Sequence, residues 1–141
     1  MRLIGIDLGT KTMGIAVTDS LKMLATGLEN FTYSQNNLDH CVNKIKKLLD
    51  YYHNDVERIV LGYPTNVNGT KNERTFLIEQ FHKLLQKNIN IPIVLQDERY
   101  TTIAATGRLK YQVGLKSSQI KKVKDKISAV IILEEYMSNH H

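Results

Sequence analysis

Two short apolar runs at the start of the chain constrain its fold more than any other feature. They are Leu3-Ile4-Gly5-Ile6-Asp7 and Met13-Gly14-Ile15-Ala16-Val17-Thr18, separated by Gly9, Thr10 and Lys11. Each run is strand-length, and the glycine turn between them folds the chain back on itself, so residues 3–7 and 13–18 form a hairpin. Its first strand ends on a carboxylate, Asp7. A third strand, looser in pattern, is predicted at 24–33. The period then changes: Leu38, Val42, Ile45, Leu48 and Leu49 follow a helical repeat behind a cap at Asn36 or Asn37, predicting a helix to about residue 52. A strand at 57–61 is stopped by Gly62, Tyr63 and Pro64. Residues 65–71 carry the turn chemistry of Asn66, Asn68 and Gly69. Residues 73–87 read as a helix with Phe76, Leu77, Phe81, Leu84 and Leu85 on its apolar side. A strand at 91–95, a helix at 101–109, a loop at 111–118 and a last helix at about 119–137 complete the pattern.

This order predicts an α/β fold: a mixed five-stranded sheet, three antiparallel strands and then parallel strands, with helices on both faces. A chain of 141 residues suits one domain, expected at 1–138, with 139–141 as a frayed tail or an expression remnant. No apolar run approaches the roughly 20 residues of a membrane span, and the first residues do not read as a signal peptide. Cys41 is the sole cysteine, which excludes an intramolecular disulfide and a cysteine-rich zinc site. A cytoplasmic location is expected.

The net charge of +5 is modest, but its distribution is uneven. Arg108, Lys110, Lys116, Lys121, Lys122, Lys124 and Lys126 fall close together with a single acid, Asp125, among them. Such a segment is the electrostatic footprint of phosphate-backbone binding, and equally of a well-solvated helix face.

Three carboxylate positions stand out. Asp7 ends a strand where open α/β sheets place their sites, although an aspartate there also serves as a turn cap. Gly5, Gly9 and Gly14 allow close backbone approach, so that a phosphate or metal can come near. Asp97 and Glu98 follow the strand at 91–95; strand side chains alternate, so only one of the two can face a site. They can instead be a helix-opening pair favoured by the helix dipole. Asp125 is followed at three, four and seven residues by Ser128, Ala129 and Ile132, a small, apolar face that lets its helix press on the sheet and aims the carboxylate at the strand edge. Converging carboxylates repel one another and need cations, and hard oxygen ligands point to Mg2+ or Mn2+. Two such ions about 4 Å apart can activate a water and stabilise a departing oxygen in phosphodiester hydrolysis, with the surrounding lysines holding the polyanion.

Four motifs in order resemble the bacterial YqgF (RuvX) family across residues 3–136. They are Ile4-Gly5-Ile6-Asp7-Leu8-Gly9-Thr10-Lys11 with Gly14-Ile15-Ala16-Val17-Thr18-Asp19, then Gly62-Tyr63-Pro64-Thr65-Asn66 with Asn68-Gly69-Thr70, then Asp97-Glu98-Arg99-Tyr100-Thr101-Thr102, then Asp125-Lys126-Ile127-Ser128-Ala129-Val130. The resemblance implies an RNase H-like fold and a nuclease, linked in the family to maturation of the 5′ end of pre-16S rRNA and to Holliday junction resolution. It implies catalytic and metal-binding roles for Asp7, Glu98 and Asp125, favouring Glu98 over Asp97. Related junction resolvases carry two acids on the last helix, whereas Lys122 and Ser128 stand three residues before and after Asp125 here, which leaves the ion count at one or two. Lys11, Tyr63, Asn66, Arg99, Arg108, Lys116, Lys121, Lys122 and Lys124 are the expected nucleic-acid contacts. The Gly62–Thr70 loop can equally be a structural turn with a half-buried Tyr63.

The expected function is metal-dependent phosphodiester hydrolysis on structured RNA, with ribosomal precursor particles as partners and the protein a monomer or homodimer. Junction cleavage on branched DNA is the alternative within that class. A catalytically silent RNA-binding module is the alternative outside it. The Asp-Leu-Gly-Thr-Lys turn also resembles the phosphate-binding hairpin of actin-like ATPases, but those folds need a second lobe for which this chain is too short.

Overall fold

Strands β1 (Arg2–Leu8) and β2 (Thr12–Thr18) pair antiparallel, with Ile4 opposite Val17 and Leu8 opposite Met13. This hairpin belongs to a computed structural model describing residues 1–98, 107 and 116–140, with backbone only at 117, 118 and 120–122. β3 (Ala25–Thr32) continues antiparallel along β2, its register shifting between Ile15 and Ala16. β4 (Val56–Tyr63) joins the other side of β1 in parallel, and β5 (Ile93–Asp97) joins β4 in parallel. The strand order is β3-β2-β1-β4-β5, the mixed sheet expected from the sequence. β1, β4 and β5 therefore end on one edge, and β2 begins there.

The helices are α1 (Leu38–Tyr51), α2 (Glu73–Asn88) and α3 (Ser117–Asn139). α1 buries Leu38, Cys41, Val42 and Ile45, the spacing that keeps one helical face on the sheet. α2 opens on a reciprocal cap: the Thr75 N–H donates to Asn72 Oδ1 at 3.1 Å and the Asn72 N–H to Thr75 Oγ1 at 3.0 Å. The Thr75 hydroxyl also donates to the Pro64 carbonyl, tying the helix start to the end of β4. This corrects the predicted stripe of α2. Thr75, Ile78, Phe81 and Leu85 are its buried residues, while Phe76 is 60% exposed. Successive helical residues turn about 100°, so the inward pull on Thr75 rotates Phe76 into solvent.

The two faces of the sheet are packed differently. α1 and α2 cover one, where Ile4, Ile6, Leu8, Ile15, Ile59 and Leu61 meet Ile45, Ile78, Phe81 and Leu85. α3 covers the other, setting Ala129, Val130, Ile132, Leu133 and Tyr136 against Leu3, Ala16 and Val60. α3 lies so close to the strands that each of β1 to β4 presents a glycine beneath it. A Cβ on Gly5 would stand 2.9 Å from the Ala129 carbonyl oxygen, and one on Gly14 2.0 Å from that of Asp125. One on Gly27 would stand 2.7 Å from Lys126 Cγ, and one on Gly62 2.6 Å from Ile132 Cδ1. The expectation that Gly5 and Gly14 make room for a phosphate or metal is thus corrected, because α3 fills that room.

The loop expected at 111–118 gives way to α3 at Ser117; residues 111–115 and, apart from Gly107, the helix expected at 101–109 lie outside the described residues. No described helix is long and apolar enough to cross a membrane.

Candidate active site

Asp7 is the penultimate residue of β1, and its neighbours on both sides of the chain are buried strand residues. Glu98 follows β5. Its N–H donates to the Tyr63 carbonyl at 3.3 Å, carrying the β4–β5 pairing one residue further, so alternation leaves Asp97 exposed and turns Glu98 inward. Both acids are almost fully buried, Asp7 at 3% and Glu98 at 5% exposure.

Arg74 joins them. Its Nη2 donates to Asp7 Oδ1 at 2.9 Å and to the Leu8 carbonyl at 3.0 Å, and lies 3.5 Å from Glu98 Oε1. Its Nε is buried without a hydrogen-bond partner. Sequence reasoning missed this residue. The available signal was its position in the first turn of α2, where a cation opposes the helix dipole and needs a compensating anion.

Asp125 reaches the same place from α3. Thr12, at the start of β2, donates its hydroxyl to Asp125 Oδ2. Asp125 is half-buried. With Asp7, Gly9, Thr10, Lys11, Thr12, Arg74 and Lys124 it lines a cleft of about 250 Å³. The turn forming the cleft floor is fixed by the Tyr33 hydroxyl, which donates to the Gly9 carbonyl. Burial pushes that phenol up to about 12, so it stays a donor.

Desolvation decides the electrostatics. Burial raises the Asp7 carboxyl above its ordinary range, with Arg74 opposing and Asp125 adding to the rise. Burial, and then the charge of Asp7, holds Glu98 well above the usual carboxylate range. Burial works against the charge of Arg74, but Asp7 and Glu98 outweigh it and bind its proton more firmly. Arg74 thus lowers the cost of burying the two acids without cancelling it, since both stay raised. Among the described residues, no group of three His, Cys, Asp or Glu side chains is arranged to hold a metal ion as it stands.

The other predicted contacts are spread out. Lys11 is exposed and Lys124 half-buried, both on the cleft. Tyr63 is half-buried and its hydroxyl donates to Glu79 at 3.3 Å. Asn66 sits exposed in a closed loop, donating to Thr70 Oγ1 at 2.9 Å and accepting from Asn72 at 3.2 Å. Lys116 is exposed at the cap of α3. Arg99 and Arg108 lie outside the described residues, as do the side chains of Lys121 and Lys122. Away from the cleft, burial pushes the Cys41 thiol up to about 12, which leaves it inert.

Comparison with known proteins agrees with this architecture. The family model described as "RuvX: Holliday junction resolvase" matches residues 1–139. A protein of Ureaplasma parvum serovar 3 (strain ATCC 700970), named "Putative pre-16S rRNA nuclease", is 49% identical over 146 residues, covering 100% of this chain and 99% of the relative. One of Bacillus subtilis (strain 168) with the same name is 37% identical over 139 residues, covering 99% of each chain. Among solved structures, T. thermophilus RuvC in complex with a Holliday junction substrate matches with a TM-score of 0.60 at 13% identity, covering 98% of this chain and 96% of that one. The sheet order and this likeness make the fold RNase H-like.

Proposed function

The chain belongs to the RuvX family, and from that premise we propose that it is a metal-dependent nuclease acting in maturation of the 5′ end of pre-16S rRNA. The reading is supported by its relatives' shared name. The observation that carries it is the pair of buried carboxylates, Asp7 and Glu98, brought to one nitrogen of Arg74 at the strand edge.

A divalent ion fits this site. Two desolvated acids are held above their ordinary pKa and already draw a guanidinium between them, so the pocket calls for positive charge. The donors are hard oxygens, which suit Mg2+ or Mn2+. Asp7, Glu98 and Asp125 would hold one or two such ions. A bound ion supplies an activated water and neutralises the oxygen that departs. Thr12 keeps the Asp125 carboxylate oriented toward the cleft. Lys11 and Lys124 hold the phosphate backbone at its mouth, and Arg99, Arg108, Lys116, Lys121 and Lys122 extend the basic surface for structured RNA. Burial of Asp7 and Glu98 keeps bulk water from the two carboxylates themselves, which strengthens their pull on a cation. Ribosomal precursor particles in the cytoplasm are the setting this activity requires.

The test is cleavage of a 5′-extended 16S leader, with a four-way DNA junction in parallel, by the native chain, Asp7→Asn and Asp125→Asn in Mg2+ or Mn2+. Both variants are expected to bind RNA as well as the native chain and to cut it at least about 100-fold more slowly. Equal RNA binding with no cutting by any of the three would make the protein a binding module instead.

A further inference from the structure

Arg74 is placed as a cation among carboxylates, yet its geometry is not that of a permanent ion pair. An arginine built to clamp carboxylates uses two parallel N–H donors in a fork. Here one nitrogen, Nη2, serves Asp7, the Leu8 carbonyl and Glu98, the last at 3.5 Å, while Nε is buried with no partner. The side chain is also 37% exposed and lines the cleft beside Lys11 and Lys124, so its outer part borders solvent rather than the core. A Mg2+ ion shared by Asp7 and Glu98 would need oxygens at about 2.0–2.1 Å. Nη2 already stands beside both of those oxygens, so an ion held by the two acids would meet a like charge there.

We propose that Arg74 is a resident cation in exchange with the metal: its guanidinium offsets part of the charge of Asp7 and Glu98 in the ion-free protein and leaves both when a divalent ion binds. The affinity for metal is then set by competition within the chain. This inference rests on the metal-dependent reading above. It adds a residue of α2 to a site whose acids come from β1, the end of β5 and α3.

The experiment is Mn2+ binding by isothermal titration calorimetry to the native chain, Arg74→Gln and Arg74→Lys, with thermal melts in EDTA and in saturating Mn2+. Arg74→Gln, freed of a like charge beside the ion, is expected to bind Mn2+ at least about tenfold more tightly than the native chain, with Arg74→Lys between them. In EDTA the Gln variant should melt below the native chain, and Mn2+ should close that gap. A Gln variant unfolded in EDTA and folded by Mn2+ supports the same conclusion. Equal or weaker Mn2+ binding by both variants, while the native chain binds it, overturns the exchange and leaves the metal-dependent reading intact. A Gln variant that stays unfolded in Mn2+, beside a Lys variant that binds no tighter than the native chain, also overturns it. No binding by any of the three removes both the exchange and the metal-dependent reading.

Discussion

The two faces of the sheet solve different problems. The face under α1 and α2 is filled with large side chains, among them Ile6, Ile45, Ile59, Ile78 and Phe81, all fully buried. The face under α3 is cut back to glycine at Gly5, Gly14, Gly27 and Gly62, so that a helix backbone rests almost on strand backbone. Large residues remove apolar area from water and supply stability, roughly 1.5–3 kcal/mol for each one fully buried. Glycines contribute little of that. What they provide is position: with no side chain between, the distance from Asp125 to Asp7 is set by contact between main chains. One face holds the molecule together and the other places an acid.

Three changes would break or sharpen this contrast. Phe81→Ala, on the large-residue face, is expected to cost about 3–5 kcal/mol in chemical denaturation. Protein still folded at low temperature should cleave RNA at nearly the native rate. Gly14→Ala should cost less, about 1–3 kcal/mol from overpacking, yet its Cβ forces α3 away at Asp125 itself. Cleavage and Mn2+ affinity should therefore fall in Gly14→Ala and not in Phe81→Ala; the reverse pattern would end the division of labour. The smallest change is a slope. The folded chain holds the Glu98 proton more tightly than the unfolded chain, whose carboxyl has the ordinary value of 4.5. Stability from this group is complete below that pH and drains away as pH rises through the folded pKa. Thermal melts in EDTA should show the native chain losing stability with rising pH above about 4.5, and Glu98→Gln should flatten that part of the profile.

Much of the large-residue face was legible from sequence, because burial on it follows simple periods. β1, β2 and α1 are where alternation, apolar runs and a helical repeat put them. Phe76 was misread because its neighbour Thr75 is buried for a hydrogen bond, which a hydrophobic pattern does not register. The glycine face was legible only in half. The small residues after Asp125 announced a close-packed helix, but the strand glycines that receive it looked like space for a ligand. Arg74 was missed since its partners are remote in the chain, and no local pattern joins the first turn of α2 to Asp7.

The Thr12–Asp125 hydrogen bond spans 113 residues. A nascent chain therefore cannot assemble the cleft until synthesis has passed Asp125 and α3 has docked. A fragment that stops short of α3 would carry Asp7 and Arg74 without the third acid that lines the cleft beside them.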